Sequence, residues 1–124
     1  MTKWVYLILG GVLGTVSRYT LSGLIHETVG NHFPFGTFVV NLFGCFLIGF
    51  LSAAGFTKLF PSPEIKLFLI AGFCGAFTTF STFMLETATL IELGHSLRAF
   101  ANVCLSIAFG FIVFRFGIFL GDLL

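Results

Sequence analysis

Gly72-Phe73-Cys74-Gly75-Ala76-Phe77-Thr78-Thr79-Phe80-Ser81-Thr82-Phe83 is the stretch on which the fold turns. It lies inside an apolar run, 67–85, that carries no charged residue. Glycine and threonine are both weak helix formers. The stretch therefore reads either as a helix broken near Gly75 to Thr79 or as a kinked but continuous one. Broken backbone at membrane depth persists only where it is buried in protein or lines a cavity. Its freed carbonyl oxygens are hard ligands that suit a cation such as Na⁺. Beyond the break, Phe80 and Phe83 stand three apart on one helix face, with Ser81 and Thr82 rotated away from them. A phenyl ring has an electropositive edge, so such a pair can present weak C–H contacts to a small anion. The competing reading is an ordinary aromatic stripe that packs or faces lipid.

The surrounding chain says which solvent this stretch lives in. Of its 124 residues, 57% are hydrophobic, 18% aromatic and only 9% charged, and the mean hydropathy is +1.09. A soluble domain carries about 25% charged residues. Six basic and five acidic side chains cannot cover a soluble surface. A soluble globule, a disordered chain and a nucleic-acid binder are all excluded, and the net charge of +1 offers no polyelectrolyte attraction. Three further apolar runs flank the first: 4–25, 35–56 and 99–121. Each is close to the roughly 20 residues a spanning helix needs. Residues 86–91 can extend the third helix, with Gly94 to end it. The expected architecture is a single all-α membrane domain, 1–124, with four transmembrane helices at about 4–25, 35–56, 66–91 and 98–121. The connection 57–66 holds Pro61 and Pro63, expected to end helices. The first run is too long for a signal-peptide core and carries Arg18.

Placing both termini in the cytoplasm puts Lys3, Lys58, Lys66 and Arg115 inside and Arg98 outside, which favours that orientation by a few charges. Cys45, Cys74 and Cys104 fall within spans and read as small packing residues, not as a disulfide framework. His26, His32 and His95 are expected in loops, without metal-ligand spacing. Four thin helices leave no room for a solvated channel within one chain, so self-association is expected. Gly10 and Gly14 form a small-xxx-small contact surface.

The remaining polar residues in the spans need partners, because lipid supplies none. Arg18 either snorkels to the headgroups or lines an aqueous vestibule that gathers anions. Asn41 offers N–H donors that solvate an anion without titrating, or it serves as interhelical glue. Asn102 and Ser106 share one helix face and admit the same two readings. Glu86 is expected near the interface, which leaves no central carboxylate for proton coupling.

These residues match a known pattern. Gly10-Gly11-x-x-Gly14-x-x-x-Arg18-Tyr19, Gly36-Thr37-x-x-x-Asn41-x-x-Gly44 and the glycine–threonine–phenylalanine stretch of the third span follow one another as in the Fluc (CrcB) fluoride channels. The chain resembles that family over its whole length. The resemblance implies an antiparallel, dual-topology homodimer in the bacterial inner membrane. It implies two pores along the subunit interface and passive, fluoride-selective export that relieves fluoride toxicity. It implies no enzyme activity. It assigns a fluoride pathway to Asn41, Phe80, Phe83, Ser81 and Thr82, with Ser106 as the fourth-helix hydroxyl, and a vestibule to Arg18. It also places a structural Na⁺ at the dimer centre, held by the backbone carbonyls of Gly75 and Thr78. One departure stands out: Gly110 occupies a fourth-helix position where relatives often carry serine. The competing classes are a small proton-coupled or multidrug exporter and a structural subunit of a larger membrane complex.

Overall fold

The computed structural model describes residues 1–53 and 62–124. These are helical almost throughout. Helix α1 is Thr2–Val29 and α2 is Phe35–Ser52. Helix α3 covers 63–77, α4 is Phe80–Glu92 and α5 is Ser96–Asp122. With α3 and α4 taken as two halves of one crossing, four helices among the described residues are long and apolar enough to span a membrane.

Apart from α2, the crossings outrun the apolar cores read from sequence. At 28 residues, α1 is roughly 42 Å long at 1.5 Å per residue. That is close to the full thickness of a bilayer with its headgroups. His26, expected in a loop, is therefore in the last turns of α1. His32 stays in the connection, and His95 is the N-cap of α5. Pro63, expected to end a helix, instead opens α3. There its missing N–H costs nothing and its fixed φ suits the first turn. Pro61, Lys58 and the final residues expected for the second span lie outside the described residues.

Gly94 terminates α4 as expected, at φ +79°. The Gly94 amide donates to the Ile91 carbonyl (3.0 Å) and the His95 amide to the Leu90 carbonyl (2.8 Å). This paired closure satisfies two carbonyls that the helix end would otherwise leave open.

Two close helix pairs hold the bundle. Helix α2 packs along α5, and α1 packs along α3. In the α1–α3 pair, a Cβ on Gly10 would strike the Phe68 carbonyl, and one on Gly14 the Phe73 carbonyl. In the α2–α5 pair, a Cβ on Gly49 would strike the Phe114 carbonyl, and one on Gly117 the Phe46 carbonyl. Backbones meet where glycines let them, which is how helices associate when lipid removes the hydrophobic drive between them. The α3 segment that meets α1, Leu67–Cys74, is π-helical, a wider winding that concentrates at functional sites. Phenylalanines fill the remaining gaps. Phe73 and Phe77 stack at 5.5 Å, Phe77 meets Phe43 edge-on at 5.9 Å, and Phe46 links Phe43 to Phe50 and Phe116.

Candidate functional site: the broken helix and its two cavities

The third crossing is broken, not kinked. Helix α3 ends at Phe77, Thr78 and Thr79 are extended, and α4 begins at Phe80. Gly75 itself is helical, at φ −62° and ψ −37°. The two threonines break the helix because side chains take over its hydrogen bonds.

Asn41 on α2 meets both backbone groups of Thr79. Its Oδ1 accepts from the Thr79 amide at 2.8 Å, and its Nδ2 donates to the Thr79 carbonyl at 3.1 Å. In an unbroken helix the Thr79 amide would bond the Gly75 carbonyl. The Thr82 amide donates to Thr79 Oγ1 at 3.2 Å, where an unbroken helix would send it to the Thr78 carbonyl. Thr79 is thus the N-cap of α4, and its hydroxyl also donates to Thr82 Oγ1 at 3.0 Å. Arg18 Nε on α1 donates to the carbonyl of Ala76 at 3.1 Å. Gly75 and Thr78, the two positions expected to hold Na⁺ by their carbonyls, are among those that lose their helical amide partners at the break, Thr79 and Thr82 donating elsewhere. Gly75 lies exposed on the surface. That donor set fits a hard monovalent cation.

Two cavities meet at the break. One is an open polar crevice of about 540 Å³ lined by Arg18, Ser22, His26, Glu27, Thr37, Thr79, Thr82 and Glu86. The other is a mainly apolar groove of about 310 Å³, lined by Asn41, Cys45, Thr78, Thr79, Phe80, Phe83 and Ser106 among others. Thr79 belongs to both. The sequence-assigned residues divide between them. Arg18 and Thr82 face the crevice, while Asn41, Phe80, Phe83 and Ser106 share the groove. Ser81 is exposed, with its hydroxyl 3.4 Å from that of Thr79. Phe80 and Phe83 are ring neighbours at 5.9 Å, Phe80 being 73% exposed and Phe83 8%. Gly110 is buried outside the groove, where an added Cβ would meet only Cys45 Sγ at an ordinary 3.6 Å.

Three assignments change in weight. Asn102 is interhelical glue: it is 1% exposed, and its Nδ2 donates to Thr87 Oγ1 at 2.9 Å. Glu86, expected near the interface, lies half-buried in the crevice wall, where Thr37 Oγ1 donates to its Oε1 at 2.7 Å. Its Oε2 is buried without a partner among the described residues. Thr79, absent from the site read in sequence, is the hub of the break. Its signal was the adjacent threonine pair, whose two members look alike until the fold assigns one to each half-helix.

Comparisons with known proteins show the family of the chain. The family model described as CrcB-like protein, camphor resistance, matches residues 5–118. A protein of Dehalococcoides mccartyi named fluoride-specific ion channel FluC is 43% identical over 124 residues, covering 100% of this chain and 95% of its own. Proteins of the same name from Desulforapulum autotrophicum and Solidesulfovibrio magneticus are 42% and 41% identical. They cover 98% and 100% of this chain, and 98% and 99% of their own lengths. With four spanning-length helices and ion-channel relatives matched end to end, this is a multi-pass membrane protein, and the chain belongs to the CrcB-like family.

Proposed function

We propose that this chain forms a passive, fluoride-selective ion channel, working as an antiparallel homodimer in the bacterial inner membrane and relieving fluoride toxicity by letting the ion leave the cytoplasm. The observation that carries this reading is the groove at the helix break. Asn41, the Phe80–Phe83 pair and Ser106 are distant in sequence and line one groove, in a chain whose relatives are named fluoride-specific ion channels. The work is transport, with no covalent step.

Fluoride is small and strongly hydrated, so its path must replace water with donors that do not hold it too tightly. Arg18 supplies the only fixed positive charge among the residues named in the crevice, beside the carboxyl groups of Glu27 and Glu86, and its guanidinium is the group there that attracts an anion. From the crevice the ion meets the hydroxyls of Thr82 and Ser81. In the groove it meets the remaining N–H of Asn41, the Ser106 hydroxyl and the ring edges of Phe80 and Phe83. The N-terminus of α4 points its positive dipole end at the break, which also favours an anion. Both cavities are open on the single chain, and Phe80 is largely exposed. A second copy is what would close them into pores.

The Gly75 and Thr78 carbonyls would hold Na⁺, which supplies a fixed central positive charge when bound. They lie at the C-terminal end of α3, where a cation is favoured.

Purified protein in liposomes with a fluoride electrode tests the reading. Fluoride efflux under an ionophore-set voltage, with no chloride efflux and no need for a proton gradient, is expected. Strict proton coupling would instead indicate an exporter, and absence of efflux would remove the channel altogether.

A further inference from the structure

Asn102 has no place in the proposed ion path, yet it is less exposed than the other buried polar residues described, Thr37 and Thr87. Its amide begins a relay. Asn102 Nδ2 donates to Thr87 Oγ1 at 2.9 Å, and the Thr87 hydroxyl donates to the backbone carbonyl of Phe83 at 2.7 Å. The relay runs from α5 into α4 and ends on the residue whose ring lines the groove.

The spacing gives the relay its meaning. Helices α4 and α5 are joined by the tight turn at Gly94 and run back along each other. Thr87 is one turn beyond Phe83 on α4, and Asn102 is one turn before Ser106 on α5. The hydrogen-bonded pair Thr87–Asn102 therefore sits one turn from the pair Phe83–Ser106, which share the groove. The contacts flanking the relay are undirected: Thr87, Ala99, Phe100 and Val103 surround a shallow apolar pocket. Apolar packing of that kind tolerates a small slide or rotation of one helix on another. A single buried hydrogen bond with one donor and one acceptor does not.

We infer that Asn102 is a positioning residue, a register lock that through Thr87 holds the Phe83 ring opposite the Ser106 hydroxyl. This rests on the fluoride-channel reading above. Polar residues that fix the register of packed helices are known from coiled coils, where one buried asparagine sets alignment at some loss of stability.

The test uses full-length protein in liposomes, with size-exclusion and thermal-unfolding controls. Asn102→Leu and Thr87→Val each remove the bond and keep volume and apolar packing. When both partners are replaced by apolar groups, stability is nearly unchanged. Each variant is expected to lower fluoride flux about five- to tenfold, the worth of one strong interhelical hydrogen bond in a membrane. The double variant should fall no further than either single one, because both act through one bond. Thr87→Ser keeps the hydroxyl and should restore flux. Wild-type flux matched by Asn102→Leu and Thr87→Val would overturn the register lock alone, as would losses that multiply in the double variant. A wild-type protein without fluoride flux would overturn the lock together with the channel reading.

Discussion

Asn41 and Thr79 are 38 residues apart and joined by two hydrogen bonds, with each amide group donating to the other's oxygen. Asn41 thus stands in for a turn of helix, and its proposed pore role and its structural role fall on the same side chain. Asn41→Ala would leave the Thr79 amide free to return to the Gly75 carbonyl or to remain unpaired. The expected result is a fall in fluoride flux together with a stability loss of about 1–3 kcal/mol, the usual penalty for unpairing buried polar groups. Flux in liposomes and thermal unfolding in detergent check the two halves separately.

Phe80 makes a cleaner probe of the groove, because its ring is mostly exposed on the single chain and meets Phe83 in a tilted contact at 5.9 Å. Phe80→Ile removes the electropositive ring edge and keeps an apolar side chain. Fluoride flux should fall while the proposed dimer persists by size-exclusion chromatography. Unchanged flux in both Phe80→Ile and Asn41→Ala would refute the assignment of the groove as the ion path.

Much of this site was legible in sequence. The glycine–threonine stretch marked a break or a kink, and the spacing of Phe80 and Phe83 marked a shared face. Hydropathy located the spans because it reports which residues sit in hydrocarbon. It says nothing about where a helix stops once it enters the headgroups, so the helical position of His26 was missed. The π-helical winding of Leu67–Cys74 was also hidden, since apolar composition is the same for either winding. What sequence could not show were bonds between distant residues. Arg18 to Ala76, Asn41 to Thr79 and Asn102 to Thr87 exist only after the helices pack. They convert residues that looked like equal candidates for glue or lining into definite neighbours.

The glycine contacts predict opposite outcomes at two positions. Gly14→Val forces a side chain against the Phe73 carbonyl. This should separate α1 from α3 and destabilise by about 2 kcal/mol or more. Gly110→Ala meets only ordinary contact with Cys45, and replacing a helical glycine there should stabilise by up to about 1 kcal/mol. Melting temperatures in detergent, compared with wild type, distinguish the pair.

Among the described residues, Thr37 is the one hydrogen-bond donor to Glu86, whose second oxygen is buried and unpartnered. Thr37→Val would strip the remaining donor and is expected to destabilise by about 1–3 kcal/mol. Thr37→Val combined with Glu86→Leu should recover most of that loss, because neither polar partner is then left alone. A double variant as unstable as Thr37→Val would show that the carboxylate has other work in the fold.

Thr79 separates the crevice from the groove with the thickness of one residue. Its amide and carbonyl are tied to Asn41 and its hydroxyl to Thr82. A partition so thin and so fully bonded has little backbone left to swing. On the proposed ion path, passage across it would therefore fall to side-chain and ion movements on the picosecond-to-nanosecond scale, not to the microsecond-to-millisecond rearrangements that limit transporters with moving helices. In this sense the break favours a continuously open conduit over a machine that cycles.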